Sequence, residues 1–263
     1  MKKLIILFLL LAPSLHAQFV PFGAWKSGAA IGADTAYTNI DSLKALFVGT
    51  DIADSLGKSD GDTTYIWPNR AKWLSPYAIG DAYQLTDTKK PTYDADSAGL
   101  AFDGVDDFLF ATASTLLQPT TIIAVCRWPN SKVNFNEFIY DGSTARNTIF
   151  HQHTSNEDGV RMFAGSSVNV WGVGTVSPDS LYIFTSLYSG ANSYTRKNGT
   201  TRVGNVGTQG LDGLNIAIDN MQSTTGAAKI VLRELIVYHK ELTALELSNI
   251  EKHLATKYGI TLP

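Results

Sequence analysis

Two acidic clusters stand out among the side chains able to do chemistry: Asp103 with Asp106 and Asp107, and Glu157 with Asp158. A glycosidase that retains configuration holds two carboxylates about 5 Å apart. Adjacent residues of a strand point to opposite faces, so neither Asp106–Asp107 nor Glu157–Asp158 is expected to form a facing pair. Asp103-Gly104 reads as a turn, the aspartate bonding its own backbone and the glycine supplying a positive φ. His151 and His153 flank Gln152, and on a strand their imidazoles would share a face and could reach one metal ion. A third ligand, such as Glu157, would have to fold back from the next turn. Two histidines alone are weak candidates, and solvent-facing polar positions are the blander reading. No metal site is assigned to them.

Cys126 shares a strand face with Ile122 and Ala124 and reads as a small core residue rather than a nucleophile. As the only cysteine, it allows neither a disulfide framework nor a cysteine-based zinc site. Glu234 falls, by strict alternation, on the face of Ile230, Leu232, Ile236 and Tyr238, where a carboxylate needs a partner; backbone or an arginine would serve. Asp51 to Asp62 is acidic but lacks the ligand spacing and terminal glutamate of a calcium loop. Calcium held by scattered backbone carbonyls leaves no sequence mark, so no cofactor is assigned. No Ser-His-Asp arrangement, phosphate loop or dinucleotide fingerprint is present.

The elements that must position these groups are mostly strands. Short β-type runs recur between turn residues: Thr120 to Trp128, Thr148 to His153, Gly159 to Ala164, Leu181 to Tyr188, Leu214 to Ile218 and Ile230 to Tyr238. In the fourth, both alternate faces are largely apolar, as in a strand covered on two sides. Asn198-Gly199 supplies the two positive-φ positions of a tight hairpin, a better reading of Asn198-Gly199-Thr200 than a glycosylation acceptor. At the C-terminus the period changes. Thr243 and Glu246 form a capping box, Leu247, Ile250, Leu254 and Tyr258 share a helical stripe, and Gly259 stands at the C-terminal cap. The spacing predicts one helix from Leu245 to Tyr258, closing a chain of strands.

The 263 residues are 44% apolar and 17% charged, enough to bury a sizeable core and too apolar for disorder. The net charge is −3, with no basic block, which excludes nucleic acid as an expected partner. Residues 1–17 have the order of a secretory signal: Lys2 and Lys3, the apolar run Leu4 to Ala12, then a small residue at Ala17. That run is too short to span a membrane, which takes about 20 residues. Cleavage after Ala17 is expected, leaving an exported, acidic chain with no transmembrane segment.

Several stretches together resemble the laminin-G-like, concanavalin A-like lectin/glucanase superfamily, in the form common on bacterial secreted and phage proteins. They are Ser42 to Val48, Tyr65-Ile66-Trp67, Leu100 to Leu109 with Asp103-Gly104 inside it, Lys197 to Thr200, and Glu234 to Tyr238 through Lys257 to Ile260. The resemblance implies an all-β fold: a jelly-roll β-sandwich of two antiparallel sheets with one C-terminal amphipathic α-helix. It also sets the organisation, with a signal peptide at 1–17, a lead-in at 18–40 and one domain over 41–263. The laminarinase-like enzymes of the superfamily carry both carboxylates on one strand as Glu-x-Asp-x-Glu or one residue longer. No such run is present, so hydrolysis by that route is not expected.

After Trp67 the superfamily usually has a short small-residue loop, whereas Asn69 to Gln84 carries Trp73, Tyr77 and Tyr83. Exposed rings can stack on the apolar C–H faces of sugars; the alternative is that they pack the loop onto the sandwich. Trp73 and Tyr77, with Trp171 in its turn-rich setting before Gly172, are the expected ligand contacts. The expected function is a secreted, non-catalytic recognition module with a glycan or cell-surface polysaccharide as partner. The alternatives are a structural or adhesion subunit of a cell-surface or phage assembly using protein–protein contact, and third, a glycoside hydrolase with an atypical site.

Overall fold

The long strand Lys229–Tyr238 organises the molecule, because three other strands pair with it. The computed structural model describes residues 39–73, 79–129, 136–142, 148–153, 158–171, 176–218 and 227–263. Among them the strands are β1 (Leu43–Val48), β2 (Ile66–Trp67), β3 (Ala82–Tyr83), β4 (Thr92–Asp94), β5 (Gly99–Asp103), β6 (Leu109–Ala111), β7 (Thr120–Arg127) and β8 (Asn136–Asp141). They continue with β9 (Thr148–His153), β10 (Asp158–Phe163), β11 (Ser167–Trp171), β12 (Leu181–Tyr188), β13 (Tyr194–Lys197), β14 (Thr200–Val203), β15 (Leu214–Ile216) and β16 (Lys229–Tyr238).

They form two antiparallel sheets, ordered β14-β13-β12-β7-β16-β5-β4 with β1 added on β16, and β11-β10-β9-β8-β15-β6-β3-β2. The β-sandwich and its closing helix, Ala244–Tyr258, match the expectation; a short additional helix covers Thr50–Asp54.

Alternation explains how the first sheet is buried on both faces. Ile122, Ala124 and Cys126 of β7, with Tyr182, Phe184 and Tyr188 of β12, face the second sheet. Ile123, Val125 and Ile183 face the helix, beneath Leu247, Ile250 and Leu254. Each fully buried Leu or Ile is worth about 1.5–3 kcal/mol, so this helix is held by its stripe rather than by propensity. Its ends follow the sequence. Thr243 Oγ1 accepts from Glu246 N at 3.2 Å, Glu246 Oε2 accepts from Thr243 N at 2.8 Å, and Gly259 takes φ 66°. The Asn198-Gly199 hairpin is present with φ 47° and 87°, and Asn198 Oδ1 also accepts from Ile183 N at 2.8 Å.

One expectation is corrected. A bulge between Leu232 and Glu234 breaks alternation in β16. Ile230, Leu232, Leu235 and Val237 therefore face the second sheet, while Ile236 and Tyr238 join the helix-side core. Glu234, two and four residues before these, does not share a face with Ile230 and Leu232. It takes Lys257 Nζ at 2.8 Å and Tyr258 OH at 2.6 Å on Oε2, a lysine and a phenol instead of an arginine.

Candidate functional site

The pairing of β2, β3, β6, β15 and β8 sets one row of side chains across the second sheet. Ile66 lies opposite Tyr83, Tyr83 opposite Phe110, Phe110 opposite Asn215, and Asn215 opposite Asp141. Directly paired residues project on the same face. Their neighbours Trp67, Ala82, Leu109, Ala111, Leu214 and Ile216 fill the core, so this row is on the outer face. The rings of Tyr83 and Phe110 meet edge to face, centroids 6.1 Å apart, and Phe110 leans on Phe108, Ile218 and Ala227.

At the β2–β3 edge the row opens to solvent. Tyr83 is 38% exposed, Tyr65 53% and Leu85 76%. Gln84 N donates to Tyr65 O at 2.9 Å, which ties the two chain segments together. Lys90 Nζ sits 5.9 Å above the Tyr65 ring and pairs with Asp87. At the other end Asn215 and Asp141 are buried, with Asn215 Nδ2 donating to Gly142 O at 3.0 Å and Asp141 Oδ1 accepting from Gly142 N at 2.9 Å. The accessible part of this edge, in the row and beside it, is thus aromatic and aliphatic, and the polar end of the row is closed.

The acidic cluster is also corrected. Asp106 and Asp107 lie in the turn after β5, where strand alternation does not apply, and their carboxylates converge with that of Asp103, oxygens within 4.8 Å of one another. The turn explains the convergence. Asp103 Oδ1 accepts from Val105 N at 2.7 Å and, more weakly, from Asp106 N and Asp107 N. Asp107 Oδ2 accepts from Asp103 N at 3.1 Å, and Gly104 takes φ 79° as expected. Burial, and then the charge of Asp103, push the Asp107 carboxyl up to about 7. Three carboxylate oxygens suit a hard cation chemically, but the backbone amides of the turn already account for the placement of Asp103 and Asp107.

The described ends of the segment after Trp67, residues 69–73 and 79–84, are anchored. Asn69 is fully buried; its Oδ1 accepts from Leu46 N and Ala71 N, each at 2.9 Å, and its Nδ2 donates to Lys44 O and Ile79 O. One side chain thereby stitches the segment to β1. Trp73 closes the 3₁₀ turn Arg70–Trp73, with its ring outside the described side chains, and Tyr77 lies outside the described residues. Trp171 ends β11 opposite Val160, its side chain likewise outside the description. The strands before Trp73 and at Trp171, β2 and β11, are opposite edges of the second sheet. Seven inter-strand spacings put them roughly 33 Å apart.

His151 pairs in register with Val160 and Glu137, and His153 with Asp158; the imidazoles lie outside the described side chains, as does Glu157 altogether. Cys126 is fully buried, and burial pushes its thiol well up, away from reactivity. Tyr65, Phe110 and Leu85 were not singled out from sequence, although Leu109-Phe110-Ala111 alternates as a half-exposed strand would. Among the described residues no helix is long and apolar enough to cross a membrane.

No protein-family profile matches the sequence, and no curated protein does. Solved structures do share its fold. A sialidase from Trypanosoma rangeli is similar over 83% of this chain at 10% identity, with a TM-score of 0.55. The binding domain of botulinum neurotoxin serotype D is similar over 81% at 8% identity, with a TM-score of 0.51. The chain covers 33% of the sialidase and 52% of the toxin domain. What the chain has in common with these proteins is the β-sandwich.

Proposed function

We propose that this chain is a non-catalytic recognition module of the laminin-G-like, concanavalin A-like kind that binds carbohydrate at the β2–β3 edge. The observation that carries the reading is a pair of exposed tyrosines at that edge, Tyr65 and Tyr83, the second braced from inside by Phe110. A phenol ring offers an apolar face to sugar C–H groups and a hydroxyl at its rim. The braced ring is already oriented, which lowers the ordering cost of binding. One of the solved sialidase structures with this fold holds sialic acid. Of the carboxylates that do meet, Asp103 and Asp107 are engaged by turn amides, which favours binding over hydrolysis.

Export belongs to the same proposal: residues 1–17 are removed after Ala17 and the module works outside the cytoplasm. Mass spectrometry of protein recovered from the medium or periplasm should give Gln18 as the first residue; an intact Met1 in the membrane fraction would refute export.

A glycan array probed with the whole mature chain tests the recognition reading. Saturable binding to defined polysaccharides supports it. The 76% exposure of Leu85, an aliphatic side chain with little use against a sugar, favours the second reading, a protein-contact role in a surface assembly. An array without signal, joined to concentration-dependent association in sedimentation, would replace the first reading with that one.

A further inference from the structure

On the other sheet, at the β16 bulge, Arg233 is a half-buried cation whose guanidinium makes no hydrogen bond or ion pair among the described residues, and its Nε is buried without a partner. The surroundings hold it in place. Its Cγ lies over Gly99, where even a β-carbon would come within 3.2 Å of it, and the backbone at the bulge is pinned by Gly49 N donating to Arg233 O at 2.7 Å. The guanidinium carbon sits 5.5 Å from the centroid of the Tyr258 ring.

The nearby charged side chains make their hydrogen bonds to groups other than the Arg233 guanidinium. Arg127 reaches Asp94, Ser97 and Asp179 at 2.9–3.1 Å, and Asp94 also accepts from Ser97 N and Oγ. Glu234 takes Lys257 and Tyr258 on Oε2, while its Oε1 is buried with no hydrogen-bond partner among the described residues. Desolvation weakens the hold of Arg233 on its proton, Tyr258 opposes that, and Arg127 and Asp94 act on it with opposite sign. A partly desolvated guanidinium that lies over the Tyr258 ring but makes no hydrogen bond among the described residues is costly. Its planar fork is pre-formed for two parallel bonds to an oxyanion.

We infer that Arg233 anchors an oxyanion-binding site on the outer face of the first sheet, beside the end of the C-terminal helix. The ligand group is a carboxylate or a sulfate ester, which present the same paired oxygens. The site is on the sheet opposite the aromatic edge and does not depend on the carbohydrate reading. The chain is acidic overall, with a net charge of −3, so attraction of anions must be local to be seen.

The test is a titration of the whole 15N-labelled chain with sodium acetate and with sodium sulfate, at ionic strength held constant with sodium chloride. The readout is the arginine Nε–H resonance that disappears in Arg233→Gln. Saturation by acetate alone assigns a carboxylate, by sulfate alone a sulfate ester, and by both a general oxyanion site; each supports the inference. Arg233→Lys keeps the charge but loses the fork, and should weaken the saturable binding at least tenfold while leaving the melting temperature near that of the parent. Absence of saturation, or saturation elsewhere that persists unchanged in both variants, overturns it.

Discussion

Glu251, only 2% exposed, receives the Arg196 guanidinium on both oxygens, Nε to Oε1 and Nη2 to Oε2, each at 2.8 Å. Thr185 Oγ1 adds a third donor to Oε1 at 3.0 Å. Because Glu251 is on the helix and Arg196 and Thr185 are on β13 and β12, this one carboxylate fixes the helix rotation over the sheet. Removing one partner of a buried pair leaves an uncompensated charge, at a cost of about 3–5 kcal/mol. Arg196→Ala should therefore lose roughly that much in urea unfolding. Replacing Glu251 by Leu, which removes the buried charge itself, should lose much less. Equal losses for the two variants would mean that packing, not the charge pair, positions the helix.

A second position shows how two strands share one edge. β1 pairs with Glu234–Tyr238 and β5 with Lys229–Leu232 on the same side of β16, so the end of β1 abuts the start of β5. At that junction a β-carbon on Gly49 would lie 2.1 Å from Ala98 O, and one on Gly99 2.8 Å from Leu232 O. Both contacts are with backbone, which cannot swing away. Gly49→Ala should cost at least the 1–3 kcal/mol typical of overpacking, measured by denaturant titration. Gly57→Ala, in open space but at φ 64°, should cost about 1 kcal/mol, the backbone strain alone.

The first of these relationships was partly legible in the sequence, the second hardly at all. The helix stripe, its capping box and the Asn198-Gly199 hairpin are local patterns, so their residues declared themselves. The burial of Cys126 followed from strand alternation alone. The face of Glu234 is not legible, because a bulge inserts one residue and flips every later side chain, and nothing in Arg233-Glu234 marks that insertion. The anchoring of the segment after Trp67 is not legible in the sequence, because Asn69 bonds partners 23 and 25 residues away. The aromatic edge depends on the β2–β3–β6 pairing, which is non-local and has no motif.

Asp107 gives a pH prediction. Its carboxyl is raised to about 7 from 3.8 in the unfolded chain, so the folded state binds its proton more tightly. Its contribution to stability is present below about pH 4 and is lost as pH rises toward 7. Asp107→Asn keeps an oxygen for Asp103 N and removes the titration. The variant should gain on the parent steadily between pH 4 and pH 7 and hold a constant difference above that range. Melting curves taken across pH 3–8 check this, and parallel profiles for the two proteins would refute it.

The aromatic edge separates recognition from packing most directly. Tyr65→Ala and Tyr83→Ala should each weaken glycan binding by about 1–3 kcal/mol, if sugar stacking matches base stacking in size, or roughly ten- to hundredfold. Tyr65 is more than half exposed, so its removal should change stability by no more than about 0.5 kcal/mol. Tyr83 also touches Phe110, and its loss should cost about 1 kcal/mol more. Trp67 is the internal standard. Its ring is fully buried, tilted against Phe47 at 5.4 Å, and its Nε1 donates to Val48 O at 2.9 Å. Trp67→Ala should cost about 3–5 kcal/mol, as for any core aromatic. Running Trp73→Ala and Trp171→Ala in the same series places each of those rings with one group or the other. Should the two tyrosine variants bind every array glycan as the parent does, the β2–β3 edge is not the carbohydrate site.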